Sequence, residues 1–320
     1  MILKSSNDIK AEARALGFYA CGIAMADAVD LSTATAYREW LSAGCHGEMS
    51  YLHNHTDKRL DPRLLMPGVK SIVSVALSYA PTRVLPSDTY QISAYALGQD
   101  YHTVLKERLH QLAARIGAGE YRAFCDTAPV LERYWAWRAG IGWIGRNHQL
   151  IIPGAGSMFF LGELFLPEEL EYDCALPSRC GTCYQCVRAC PSGALSSIEG
   201  TITFDARRCL SYQTIEYHGA LSAETAKEMG NRIYGCDTCQ QVCPHMRHCT
   251  PSGERAFQPT DALLSMTISD WRSLTHEKYL TLFRGSAVKR AKYEGLMRNI
   301  QAVSASSGMT DAKSEVTASE

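Results

Sequence analysis

Apolar positions near the start of the chain recur at helical spacing. Ile9, Ala13 and Leu16 share one face, Ser6 or Asn7 is placed to cap the run, and Gly17 to end it. The β-rich stretch Ser71-Ile72-Val73-Ser74-Val75-Ala76-Leu77-Ser78-Tyr79, closed by Ala80-Pro81, predicts a buried strand. Leu105, Leu109, Leu112 and Ile116 then mark a helix from Tyr101 to Ile116. A further helix is expected from Val130 to Ala139, just after Pro129. Gly140, Gly142 and Gly145 break the chain around Trp143, and residues 149–152 and 157–161 read as two more strands. Most of these apolar side chains should pack a core.

Near Pro167-Glu168-Glu169-Leu170-Glu171 the composition turns acidic and a cysteine-rich stretch begins, ending near residues 249–253. Helical patterning follows, with two short helices expected over 263–283 and a third over 288–303. The tail 304–320 is rich in Ser, Ala and Thr and poor in large apolar residues, which predicts disorder. The expected organisation is a mixed α/β (α+β) region over 1–168, a cysteine-rich domain over 169–253, a helical segment over 254–303, and the tail. No long internal repeat is present, but one cysteine motif occurs twice.

Composition narrows the class. With 46% hydrophobic and 20% charged residues, wholesale disorder is excluded. A net charge of −1 excludes a broadly basic nucleic-acid binder while leaving room for a local basic patch. No uncharged apolar run reaches the ~18 residues of a membrane helix. The first residues lack a secretory signal's apolar stretch, so a cytoplasmic protein without membrane contact is expected.

The cysteines change the picture most. There are thirteen, and ten fall between Cys174 and Cys249. In a reducing cytosol this concentration points to metal binding rather than disulfides. Cys180-x2-Cys183-x2-Cys186-x3-Cys190-Pro191 has the bacterial ferredoxin spacing, in which the fourth cysteine serves the other cluster. Cys236-x2-Cys239-x3-Cys243-Pro244 is one cysteine short of it, and Cys209 can supply the missing ligand. Each x2 interval lets the backbone curl around one corner of an iron–sulfide cube. The cysteine before Pro points away into the second cluster. The expected sets are Cys180, Cys183, Cys186 and Cys243 for one 4Fe-4S cluster, and Cys190, Cys209, Cys236 and Cys239 for the other. Paired C-x2-C motifs also suit zinc, but the tripled spacing with a trailing Cys-Pro favours clusters. Cys174 and Cys249 are expected to be free thiols, and Cys21, Cys45 and Cys125 small buried residues.

The cysteine runs, with Gly235-Cys236-Asp237-Thr238-Cys239-Gln240-Gln241-Val242-Cys243-Pro244, resemble those of epoxyqueuosine reductases. The stretches Gly98-Gln99-Asp100-Tyr101-His102, Asp126-Thr127-Ala128-Pro129-Val130-Leu131-Glu132-Arg133 and Arg138-Ala139-Gly140-Ile141-Gly142-Trp143-Ile144-Gly145 agree. So do Cys209-Leu210-Ser211-Tyr212 and Gly230-Asn231-Arg232-Ile233-Tyr234-Gly235. The resemblance spans residues from about 5 to 300. It implies a cobalamin-binding N-terminal region, a bacterial ferredoxin-like two-cluster domain and a short helical C-terminus. The implied reaction is the last step of queuosine synthesis. Electrons pass through the clusters to base-off cobalamin, and the epoxide of epoxyqueuosine at the tRNA wobble position is deoxygenated.

The resemblance also assigns roles. Asp126 sits where the family places its general acid, and its pKa should be raised in a dehydrated pocket. Without the family match, Asp126 reads as a cap for the following helix. Arg59, Ser93, Leu150, Leu161, Ser211, Asp237 and Thr238 match cobalamin contacts, and Asp126 is grouped with them. No His in an Asp-x-His-x-x-Gly context occurs, so histidine ligation of cobalt is not expected. The implied partners are a tRNA with a GUN anticodon carrying epoxyqueuosine and an unidentified electron donor, with the enzyme a monomer. Phosphate contacts are expected from Arg284, Lys289, Arg290, Lys292 and Arg298, aided by Arg207, Arg208 and Arg247. Many family members carry further C-terminal helical repeats, and tRNA contacts from such repeats are not expected for this chain. The alternatives are a two-cluster electron carrier, which would not need the large N-terminal region, and a reductive dehalogenase-like enzyme, which usually carries a twin-arginine signal.

Overall fold

The structure, a computed structural model, describes residues 4–198 and 200–307. Four apolar runs meet in one sheet: β1 (Ala20–Met25), β2 (Ser71–Ser78), β3 (Arg122–Phe124) and β4 (Phe159–Leu166), in the order β1-β2-β4-β3. Every pairing is antiparallel. Ile23 faces Val73, Ser74 faces Glu163, and Phe124 faces Glu163 from the other side. The mixed α/β content expected for the N-terminal region is therefore of the α+β kind.

Helices cover both faces of this sheet. On β2, Val73, Val75 and Leu77 point to a layer holding Ile9, Ala13, Leu105 and Leu109, whereas Ile72 and Ala76 meet Trp135 and Ala136. A strand buried on both sides needs no polar face, which is why its sequence is an almost unbroken apolar run. α1 (Ser6–Ala15) and α2 (Tyr101–Ile116) lie on the first face and α3 (Glu132–Arg138) on the second. Leu105, Leu109, Leu112 and Ile116 of α2 are completely buried. Each contributes roughly 1.5–3 kcal/mol over an exposed position.

Several boundaries differ from expectation for local reasons. Ser5, not Ser6 or Asn7, caps α1 by accepting the Asp8 N–H. α3 starts at Glu132 because Val130 closes a tight turn back to Ala128. No side chain caps α3, so Asp126 is not its cap. The strand expected over 157–161 begins at Phe159 and continues to Leu166, since β2 is long enough to pair along its whole length. Residues 149–152 shrink to Leu150–Ile151, paired in a hairpin with Trp143–Ile144. β1 and the helix Leu31–Ser42, capped by Asp30, had no counterpart in the sequence reading.

The C-terminal part holds three short helices, Asp261–Leu264, Ile268–Arg272 and His276–Leu282, where two were expected. Thr267 and Thr275 each cap a fresh start. α4 (Lys292–Ser307) begins after a 3₁₀ turn at Ala287–Ala291 and extends beyond Val303, so residues 304–307 are helical rather than tail. Residues 308–320 of the expected tail lie outside the described residues. One buried cluster runs from Ile9 through Leu210, Tyr234 and Trp271 to Val303, so the N-terminal, cysteine-rich and C-terminal segments share a core. The strand Arg232–Tyr234 also pairs in parallel with Gln91–Ile92. Among the described residues no helix is long and apolar enough to cross a membrane.

Candidate functional site

The first cysteine loop wraps a cavity. Cys180, Cys183, Cys186 and Cys243 line it together with Arg146, Asn147 and His245. Arg146 donates to the carbonyls of Gly181 (2.8 Å) and Cys183 (3.1 Å) and lies over the Tyr184 ring, so the hairpin around Trp143 grips the loop. Asn147 reaches the other loop at the Cys239 carbonyl, 3.2 Å away. The remaining four thiols sit within electrostatic reach of one another. Burial pushes the Cys239 thiol up, and Cys236, Cys209 and Cys190 add to that. Cys209 is raised by burial first, with smaller additions from Cys236 and Cys190.

None of the thirteen cysteines is in a disulfide. Among the described residues no three His, Cys, Asp or Glu side chains close in on a single-ion position. Cys125 is buried and Cys174 exposed, while Cys21, Cys45 and Cys249 are half-buried. The expectation of burial therefore fails for Cys21 and Cys45. Cys21 lies on the edge strand β1, which has a sheet neighbour on one side only.

A second constellation forms where β3 ends. Asp126 follows Phe124 and Cys125 with φ +50°, a left-handed conformation that is uncommon outside glycine, though aspartate adopts it more readily than most residues. Tyr101 donates its hydroxyl hydrogen to Asp126 Oδ2. His102 Nε2 lies 3.8 Å from the same oxygen. Asp100 caps α2 and bonds His102 Nδ1 at 2.6 Å, which raises the His102 pKa. Below the loop, Glu132 accepts the Asp126 backbone N–H. The Asp126 side chain is 62% exposed, so the chain alone does not form the dry pocket expected around it. The reason is its place on a loop beyond the sheet edge rather than inside the sheet.

The other expected contacts fall into two groups. Ser93 donates to Asp237 Oδ1, and the Ala94 N–H bonds Oδ2 at 2.7 Å, so these segments are tied at the second cysteine loop. Burial raises the Asp237 pKa. Gly235, at φ +71°, makes this approach possible, because a Cβ there would meet Ser93 Cβ at 2.5 Å. Thr238 accepts from Arg232 at 2.9 Å, and Ser211 lies in the helix Leu210–Ile215 directly after Cys209. The second group is apolar. Leu150 and Leu161 are buried on the α3 face of the sheet, next to Leu60. Arg59 is buried rather than solvated: it donates to the Tyr51 carbonyl, while its Nε has no partner among the described residues.

The sequence reading missed Tyr101, His102 and Glu132, although all three lie in stretches that carry the family resemblance. It also missed Glu163, the one acidic residue in the apolar run of β4. Three expected phosphate contacts are committed elsewhere. Arg298 donates to the carbonyls of Gln213, Tyr217 and Gly219, and Arg290 pairs with Glu216 while lying over Tyr51. Arg207 is likewise paired with Asp205. Arg284, Lys289 and Lys292 are exposed.

Comparison with known proteins agrees with both halves of the site. A family model described as "Epoxyqueuosine reductase QueG, DUF1730" matches residues 59–127, and a 4Fe-4S double cluster binding domain matches residues 179–246. An epoxyqueuosine reductase of Cellulophaga algicola is 43% identical over 93% of this chain and 97% of its own length. The chain belongs to the epoxyqueuosine reductase family. Like other epoxyqueuosine reductases it is an oxidoreductase enzyme of tRNA modification with an iron–sulfur domain. The Pseudomonas aeruginosa epoxyqueuosine reductase is 42% identical, over 92% of this chain and 83% of its own. Among solved structures, an epoxyqueuosine reductase crystallised with an epoxyqueuosine-modified tRNA-Tyr stem loop superposes with a TM-score of 0.84 at 28% identity, covering 94% of this chain and 80% of the other. A Bacillus subtilis epoxyqueuosine reductase, described with its aspartate-bearing catalytic loop swung out of the active site, gives 0.82 at 28% identity over 94% and 81%.

Proposed function

We propose that this chain reduces epoxyqueuosine to queuosine at the wobble position of a GUN-anticodon tRNA, with Asp126 as the proton donor. The observation that carries the reading is the Asp126 carboxyl, held by Tyr101 and approached by His102, on a chain that also brings two four-cysteine sets against the same fold. Removal of an epoxide oxygen as water consumes two electrons and two protons. The cysteine sets serve the electron side as two 4Fe-4S clusters, Cys180, Cys183, Cys186 and Cys243 in one and Cys190, Cys209, Cys236 and Cys239 in the other. Asp126 serves the proton side, delivering to the departing oxygen and being recharged from solvent, to which it is open.

The residues present fit a base-off cobalamin. Arg59 offers a buried Nε–H without an acceptor among the described residues, suited to a corrin amide, and Leu150 and Leu161 supply apolar surface. Ser93, Ser211, Asp237 and Thr238 would hold its edge beside the second cysteine loop. Bound there, cobalamin would supply the low-potential reductant for the epoxide. Exposed Arg284, Lys289 and Lys292, with Arg208 and Arg247, are the side chains left to meet tRNA phosphates.

The test is anaerobic reconstitution with iron, sulfide and cobalamin, followed by nucleoside analysis of an epoxyqueuosine-containing tRNA stem loop. Queuosine should form, and Asp126→Asn should retain cofactors but lose turnover. Full activity of Asp126→Asn would remove Asp126 from the role. No queuosine from the loaded wild-type enzyme would overturn the reading.

A further inference from the structure

Two carboxyl groups beneath Asp126, Glu163 fully buried and Glu132 half-buried, have no part in the reaction as described so far. Glu163 is fully buried in the middle of β4, and neither of its oxygens has a hydrogen-bond partner among the described residues. Its cross-strand neighbours are Ser74, whose hydroxyl is also buried without a partner, and Phe124, two residues before Asp126. Glu132 opens α3 on the same side of the sheet, where Trp135 and Ala136 pack against Phe124 and Phe165. A carboxyl there costs stability unless it does something a hydrophobic residue cannot. Glu132 has one such task, since it accepts the backbone N–H of Asp126.

That bond matters because of the backbone it holds. Asp126 has φ +50°, a conformation that costs a non-glycine residue on the order of 1 kcal/mol. An exposed loop would relax from it unless tied. Tyr101 ties the carboxyl end, and Glu132 ties the main chain from below. Within the reading of Asp126 as proton donor, we infer that Glu132 is a positioning residue: its carboxyl anchors the Asp126 loop through the Asp126 N–H.

The groups facing Glu132 account for its setting. Burial is the main influence and Asp126 adds to it, while the Asp126 N–H, Arg133 and Arg59 oppose them, so that the Glu132 pKa is raised to about 8. Burial likewise raises Glu163, with Glu132 and Asp126 adding to the effect. Two carboxyls this close do not both ionise readily, but Glu132 presents an oxygen acceptor to the Asp126 N–H in either protonation state. Glutamine at 132 would still present a carbonyl oxygen to the Asp126 N–H, whereas alanine or the shorter aspartate would not.

The experiment compares Glu132→Gln, Glu132→Ala and Glu132→Asp in the cluster- and cobalamin-loaded enzyme, with Asp126→Asn alongside. Two quantities are read: single-turnover rate on the modified stem loop, and hydrogen exchange of the Asp126 amide. Anchoring predicts that Glu132→Ala and Glu132→Asp lose about a hundredfold in rate, the penalty for ~1 Å of misplacement. The KM for the stem loop should change less than about threefold, and amide protection at Asp126 should disappear, each factor of ten being ~1.4 kcal/mol. Glu132→Gln should keep both rate, within about fivefold, and protection. If Glu132→Ala does not fold, Glu132→Asp carries the comparison. Unchanged amide protection in Glu132→Ala or Glu132→Asp would overturn the anchor. So would a Glu132→Gln enzyme as slow as the alanine variant, which would make the proton rather than the acceptor the working part. An active Asp126→Asn enzyme would instead strike the underlying assignment, whatever the exchange data at Glu132 variants show about the loop.

Discussion

Tyr101 donates its hydroxyl hydrogen to Asp126, and the ring that carries this hydroxyl is clamped between His102 at 4.1 Å and Phe160 at 4.2 Å. The clamp leaves the phenol with little freedom, so Asp126 is offered a donor already in place. Burial, with Asp126 next, holds the proton on Tyr101. The hydroxyl therefore acts as a donor throughout the working pH range. Tyr101→Phe should preserve iron and cobalamin content while slowing turnover by about tenfold, as expected for loss of a hydrogen bond worth ~1.5 kcal/mol. A single-turnover rate within twofold of wild type would contradict this.

The neighbouring pair Asp100–His102 makes a pH prediction. Asp100 raises the His102 pKa by a side-chain hydrogen bond, against the opposing effect of burial, and His102 in turn lowers that of Asp100. A histidine raised in the folded state contributes stability that is complete below its unfolded value, roughly 6.5, and is lost as pH rises through the folded value. The carboxylate's share is complete above roughly pH 4 and is lost as pH falls through the lowered folded value. Thermal melts of wild type and His102→Gln should therefore differ most between about pH 4 and 6.5 and converge by about pH 9. A gap that widened with rising pH would refute the assignment.

Gly98 is required by space rather than by backbone angle. A Cβ at this position would fall 2.3 Å from the Ala256 carbonyl and 2.5 Å from Phe257 Cα, both main-chain atoms that cannot swing aside. The same segment receives the Gln99 N–H at 2.7 Å, and so fixes the approach to Asp100, Tyr101 and His102. Gly98→Ala should cost about 1–3 kcal/mol of stability and lower the melting temperature. It should also slow turnover by moving Tyr101. A variant with wild-type melting would show that the segment is free to shift.

The crossing of the cysteine runs can be tested by metal analysis. Because Cys243 lines the cavity of Cys180, Cys183 and Cys186, Cys243→Ala and Cys180→Ala should remove the same cluster. Each should lower iron from about eight to about four per chain, and the double variant should fall no further. Pairing Cys180→Ala with Cys190→Ala should take both clusters away. If Cys243→Ala and Cys180→Ala were additive, each cysteine run would hold its own cluster.

The residue string alone determined the family, the iron–sulfur domain and much of the framework. Ligand spacing is a local property of the backbone, so the cysteine runs were legible without a fold. The Tyr101–Ile116 helix and the core of β2 were equally clear, because a continuous apolar period leaves one way to bury it. What the string could not decide were relationships between distant segments. β1 is short and the α3 face unevenly apolar, so the antiparallel order of the sheet came only from pairing. The same holds for Glu163, an acid in an apolar run whose neighbour Glu132 is thirty-one positions away. Arg290 and Arg298 looked like a basic face until folding brought Glu216 and the carbonyls of Gln213, Tyr217 and Gly219 against them. Charge on a helix is visible in sequence, but its partner is chosen by packing, and packing is a property of the whole chain.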